Sequence, residues 1–336
     1  ILTAMQTPAE AWNYARQYIR TCATGLVFIY GYNLVSAILR GMGDSHHPLL
    51  FIAVATVINL VLDLVFVAGL EMGPIGAALA TVIGQGVSFL WALSFLYRRR
   101  SQFGFDFRKE SFRVNREILS RLLKLGIPMS LQFGAIMFSM LFVNAFLNSY
   151  GVVASAVTGV GNKLGSVASV VTGALSQGGC SLVGQNIGAQ RYDRVRRVVG
   201  TSMLIGLAFA VVLSLVTILF PRGVFGLFNR ETEVLDMAMG YLPCAVLGFL
   251  GFAVRAPFNA LINGVGNARL NLALGLLDGI VCRVGLALLL GITAGWGIQG
   301  FWYGNALAGY VPFVLGGGYY LTGRWKKTVV ADPSPS

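Results

Sequence analysis

The sequence predicts an all-α polytopic membrane protein made of two pseudo-symmetric helical bundles, and three observations carry that prediction. Of 336 residues, 56% are hydrophobic and 11% charged, far below the roughly 25% charge of a soluble domain. Uncharged runs such as Thr21 to Leu39, Met72 to Tyr97 and Val198 to Pro221 reach the roughly 20 residues that cross a bilayer as a helix. The chain also matches itself at a constant offset of 223 residues.

Taken in order, the apolar runs predict nine helices at 10–39, 47–69, 74–97, 124–148, 151–187, 196–220, 236–262, 269–291 and 298–321. Breaks at Asn148 to Gly151 and Ala294 to Gly297 divide the longest stretches into hairpins. Barrel strands are excluded by run length, since they need only about ten alternating residues. Pro128 reads as a helix start, where its missing N–H costs nothing. The basic, proline-free segment 101–123 reads as a water-exposed linker between residues 1–100 and a six-helix lobe at 124–323, and residues 324–336 as a tail.

The self-match pairs Tyr18 with Tyr241, Gly25 with Gly248, and the loop Gly41 to Asp44 (GMGD) with Gly264 to Asn267 (GVGN). After one inserted residue it resumes, Gly73 with Gly297 and Gly76 with Gly300. A three-helix block is therefore duplicated in parallel, as in transporters that work by alternating access. The second copy is preceded by three further helices and the first is not, so about a hundred N-terminal residues are expected to precede Ile1 in a complete protein.

The net charge of +12 follows membrane topology rather than nucleic acid. Alternate threading collects eighteen of the twenty-five bases on one side, including Arg98 to Lys124, Arg191 to Arg197 and Arg324 to Lys327. The positive-inside rule then puts the C-terminus in the cytoplasm of a plasma-membrane protein. No GK[ST] follows the glycine turns, so ATP is not expected as a partner. Cys22, Cys180, Cys244 and Cys282 lack ligand spacing and read as lipid-facing or packing residues. Adjacent His46 and His47 read as solvated loop residues, and no cluster of His, Asp, Glu or Cys supports an enzyme. The tryptophans Trp12, Trp91, Trp296, Trp302 and Trp325 read as interface anchors.

Polar groups inside spans are then the functional candidates, because an ionisable side chain in a bilayer is costly. Asp63 lies one turn after Asn59 on one helical face, and Thr81 sits at matching depth across the next turn. One carboxylate with two neutral oxygen donors suits a proton or a weakly held hard cation. The plainer reading is a polar contact that fixes helix packing. In the second bundle Arg255 and Asp278 lie at similar depth and can pair, with Arg283 a further partner or a cavity-facing cation. Lys163, on a glycine-, serine- and alanine-rich helix, and Gln132, one turn after Pro128, are further candidates for a substrate cavity or gate.

Leu39 to Leu49 (LRGMGDSHHPL), Asn59 to Asp63 (NLVLD), Met72 to Gln85 (MGPIGAALATVIGQ), Leu125 to Pro128 (LGIP), Gly184 to Gln190 (GQNIGAQ) and Asn263 to Leu272 (NGVGNARLNL) together resemble the multidrug and toxic compound extrusion family. The resemblance lies in the bacterial branch related to the DNA-damage-inducible protein F and runs along essentially the whole chain. It implies an antiporter that exports small, cationic or amphipathic organic compounds in exchange for H+ or Na+, with no other cofactor. It also implies a first-lobe cation site, in which Asn59, Asp63 and Thr81 match three positions and a fourth, an aspartate on the family's first helix, precedes this sequence. The second-lobe carboxylates of sodium-binding relatives have no match around Gln132 to Met137 or Leu250 to Val254. A lipid-linked saccharide flippase of the same broad fold is the alternative, distinguished by a larger and more basic cavity.

Overall fold

A computed structural model describes residues 9–106, 108 and 113–326. Among these residues the chain is helical with no strand, and eight helices are long and apolar enough to cross a membrane. It divides into two compact units between Val114 and Asn115.

The first unit contains α1 (Ala9–Gly41), α2 (His46–Asp63) with a π-helical continuation Leu64–Gly69, α3 (Gly73–Arg98) and the single turn α4 (Arg100–Phe103). α3 packs against both α1 and α2. Small residues set these approaches. A Cβ on Gly31 would overlap the Phe89 ring, and one on Gly84 would sit 2.9 Å from the Ala55 carbonyl oxygen. The core at one end gathers Tyr32, Val35, Leu39, Phe51, Ala92 and Leu96.

The second unit contains α5 (Arg116–Asn148), α6 (Val152–Gly188), α7 (Tyr192–Leu219), the short α8 (Pro221–Gly226) and α9 (Thr232–Val265). There follow α10 (Ala268–Gly275), a π-helical stretch Leu276–Val284, α11 (Gly285–Leu288), a second π stretch Leu289–Thr293, α12 (Ile298–Ala308) and α13 (Val311–Leu321). α9 is the central element, packed on α6, α7, α12 and α13. The core around it includes Phe225, Phe249, Phe301 and Trp302.

Several expectations are corrected. Helix α5 begins twelve residues before Pro128, which lies inside it. The Asn115 side chain caps α5 by accepting from the Glu117 and Ile118 N–H groups at 2.9 and 3.3 Å, and Glu117 pairs with Arg121 one turn on at 2.6 Å. These local terms favour helix, so the last residues of the expected linker belong to α5; 107 and 109–112 lie outside the described residues. The expected helix 298–321 is two helices, broken at Gly309–Tyr310, because Pro312 supplies no N–H and instead opens α13. Trp302 and Trp325 are buried at 3% and 1% exposure, their indole N–H groups donating to Thr158 Oγ1 and the Tyr320 carbonyl at 3.0 Å each. The start of the expected tail is thus docked on the second unit, where Tyr192 also donates to the Lys326 carbonyl; 327–336 lie outside the described residues.

His47, expected to be merely solvated, is fastened. Its N–H and ring Nδ1 contact the Asp44 carboxylate at 3.1 and 2.6 Å, and its ring lies 4.1 Å from that of Phe95. Burial pushes the Asp44 carboxyl up, but the His47 N–H and ring, with the His46 N–H, outweigh it and hold the group below the usual aspartate range. A carboxyl depressed on folding adds stability above its unfolded pKa of about 3.9, lost as pH falls through the folded value. Asp44→Asn is therefore expected to unfold at lower temperature than the wild type at neutral pH. The gap should close below about pH 4 in a thermal-unfolding series.

Candidate functional site

In the first unit, the last turns of α2 carry Asn59 and, one turn on, Asp63, and α3 brings Thr81 back beside Asn59 after the turn at 70–72. Asn59 Nδ2 donates to Thr81 Oγ1 at 3.4 Å, and Thr81 Oγ1 donates to the Ala77 carbonyl at 2.9 Å. Asp63 Oδ1 is buried with no hydrogen-bond partner among the described residues. A cleft of about 80 Å³ is lined by Ala55, Thr56, Asn59, Thr81, Gly84 and Gln85. The missing side chain at Gly84 brings α3 onto α2 here, since a Cβ would lie 3.3 Å from that of Asn59.

Gln85 escaped the sequence reading, although it stands one turn after Thr81 and its position was open to the same helical-face argument.

The second unit holds a separate ionic cluster. Asp278 is 1% exposed and bridges two guanidinium groups: its Oδ1 accepts from Arg283 Nη2 at 2.8 Å and its Oδ2 from Arg255 Nη2 at 3.1 Å. Arg283 Nη1 donates to both the carbonyl and the side-chain oxygen of Asn305, while its Nε is buried without a partner among the described residues. Asp278 and Arg283 are five residues apart. In an α-helix such a pair would diverge by about 140°; the π-helical stretch Leu276–Val284 brings them to one face. Lys163 does not join the cluster: its Nζ stands 5.4 Å from the centre of the Phe228 ring. Gln132 packs against the bare backbone of Gly275, where a Cβ would overlap it at 2.4 Å.

The family model described as MatE matches residues 1–65 and 128–304. The chain belongs to the MatE family. Among its relatives, the "Probable multidrug resistance protein YoeA" of Bacillus subtilis is 29% identical over 97% of this chain and 72% of its own length. The "Probable multidrug resistance protein NorM" of Thermotoga maritima is 23% identical over 96% and 69%. Among solved structures, an outward-facing multidrug resistance MATE family transporter of the MOP superfamily superposes with a TM-score of 0.85 at 24% identity, covering 96% of this chain and 73% of that one. A MOP superfamily transporter from Pyrococcus furiosus gives 0.87 at 23% identity, covering 97% and 72%. These structures establish the fold. As a MatE protein the chain is a multi-pass transporter of small molecules in the plasma membrane, not an enzyme.

Proposed function

We propose that this MatE chain is a secondary antiporter that exports small organic compounds, cationic or amphipathic in character, in exchange for H+ or Na+ by alternating access. Its C-terminus is cytoplasmic on this reading, as the positive-inside distribution requires. Relatives that carry multidrug resistance names support the substrate class.

The observation that carries the coupling assignment is the buried, unpartnered Asp63 Oδ1 one turn from Asn59, whose side chain reaches Thr81. A buried polar atom without a partner is expensive and calls for a ligand. A proton or sodium ion supplies one, and the Asn59 carbonyl and Thr81 hydroxyl add neutral oxygens suited to a hard cation. Loading changes the local charge and so biases the equilibrium between transporter conformations. Asp278, Arg255 and Arg283 are too mutually engaged to serve as the exchangeable site.

The test is efflux of a fluorescent organic cation from cells expressing the full-length gene under imposed proton and sodium gradients. Asp63→Asn is expected to abolish gradient-driven efflux while leaving the protein in the membrane. Full efflux with unchanged ion dependence in that variant would defeat the assignment.

A further inference from the structure

The duplicated block has left its trace in the backbone. Asp44 N–H donates to the Leu39 carbonyl, and 223 residues later Asn267 N–H donates to that of Ile262. Beyond the inserted residue the offset is 224: Leu70 N–H to Val65 is matched by Ala294 to Leu289, and Met72 to Phe66 by Trp296 to Leu290. The left-handed residues correspond too, Glu71 (φ 50°) with Gly295 (φ 72°) and Gly73 (φ 59°) with Gly297 (φ 56°). The added residue is taken up by the π-helical stretch Leu276–Val284, for the corresponding part of α2 is plain α-helix.

At the offset of 224, Asn59 corresponds to Arg283, near the end of the stretch that takes up the added residue, Thr81 to Asn305 and Asp63 to Ala287. The two copies make the same contact. The Asn59 side chain reaches that of Thr81 across 22 residues, and the Arg283 side chain reaches that of Asn305 across 22 residues. What differs is the charge. In the first copy a carboxylate with a bare oxygen, Asp63, follows Asn59 by one helical turn. In the second the guanidinium is surrounded by Asp278 Oδ1, the Asn305 carbonyl and Asn305 Oδ1, an oxygen set of the kind that holds a cation. The carboxylate has moved from four residues after the pivotal side chain to five before it, which the π-helical stretch makes possible.

We propose that Arg283 is the resident cation of the second copy of the ion site, its guanidinium filling the place that a mobile cation takes in the first. A guanidinium does not give up its proton in a protein, and this one is 5% exposed, so the second copy neither loads nor unloads. Arg283 thereby closes the second copy to ion exchange. This consequence rests on the coupling role given to Asp63; the occupancy of the second copy by Arg283 does not.

The occupancy is tested by chemical rescue. Purified Arg283→Ala is titrated with millimolar guanidinium chloride against equal tetramethylammonium chloride, following thermal unfolding in detergent. A ligand bound only by the folded state raises its stability with concentration. A rise in Tm specific to guanidinium is expected in Arg283→Ala, and none in the wild type or in Arg283→Ala combined with Asp278→Asn. A folded Arg283→Ala that guanidinium does not stabilise overturns the proposal.

Should Arg283→Ala not fold, Arg283→Lys and Arg283→Gln decide the matter. The lysine variant is expected to fold and to retain the wild-type ion dependence of efflux, because it keeps a cation in place. The neutral glutamine variant is expected to lose stability, and wild-type stability and ion dependence in it would overturn the proposal. The guanidinium titration does not involve Asp63, so its outcome stands apart from that of the Asp63→Asn efflux test.

Discussion

Replacing Asp278 with leucine is expected to cost about 3–5 kcal/mol of stability, the range for breaking a buried ion pair by removing one partner. The loss is large because this one carboxylate serves two guanidinium groups, Arg283 at 2.8 Å and Arg255 at 3.1 Å. Without it both charges lose their counterion, and Arg283 is almost wholly buried. Arg283→Met should cost less, since it leaves Asp278 and Arg255 as a neutral pair. Replacing all three with apolar residues of similar volume should recover much of the loss, as buried ionic clusters commonly give little net stability over apolar packing. Thermal unfolding in detergent orders the variants. Equal losses for Asp278→Leu and Arg283→Met would show that the shared carboxylate is not the keystone.

Gly300→Ala is expected to prevent the last hairpin of the second unit from closing. Its Cβ would fall 2.3 Å from the Leu290 carbonyl carbon, 2.4 Å from the Gly291 nitrogen and 2.5 Å from the Leu290 oxygen. All three are backbone atoms, which cannot rotate aside as a side-chain end would. Overpacking usually costs about 1–3 kcal/mol, and this substitution should reach or exceed the upper end. The duplication supplies an internal comparison at Gly76, where a Cβ would meet Phe66 Cβ at 2.9 Å and Met72 Cβ at 3.0 Å. Gly76→Ala should therefore be milder. Yield and Tm of the two variants in parallel check the ranking; a tolerated Gly300→Ala beside a damaging Gly76→Ala would contradict it.

The helices of this chain were legible because a membrane span is a matter of run length and charge. The breaks at Asn148 to Gly151 and Ala294 to Gly297 were legible too, from their glycines, but other features were not. Pro128 looked like a beginning because the cap at Asn115 and the Glu117–Arg121 pair upstream are short-range polar signals outside the apolar run. The break before Pro312 lay hidden in an uncharged stretch long enough for a single span. π-helical turns were invisible, since one added residue shifts the helical face without altering composition; the change of repeat offset recorded the insertion but not its place.

The polar sites divide the same way. Asn59, Asp63 and Thr81 could be read together because four-residue spacing and equal depth across a short turn are sequence quantities. Depth and spacing offered Asp278 to Arg255 and named Arg283 as a further partner or a cavity-facing cation. That Asp278 holds both depends on the π-helical stretch, and the Lys163–Phe228 contact on where the chain runs after α8. Neither follows from spacing alone.

The coupling claim is tested most directly by ion movement on purified protein in liposomes, free of cellular metabolism. Addition of an organic cation substrate to one side should drive counter-movement of protons or sodium ions, read by a pH-sensitive dye or by tracer sodium. Substrate-evoked ion movement that is present in the wild type and absent in Asp63→Asn is the predicted result. Ion movement of the same size in Asp63→Asn would contradict the account and place the exchangeable ion elsewhere.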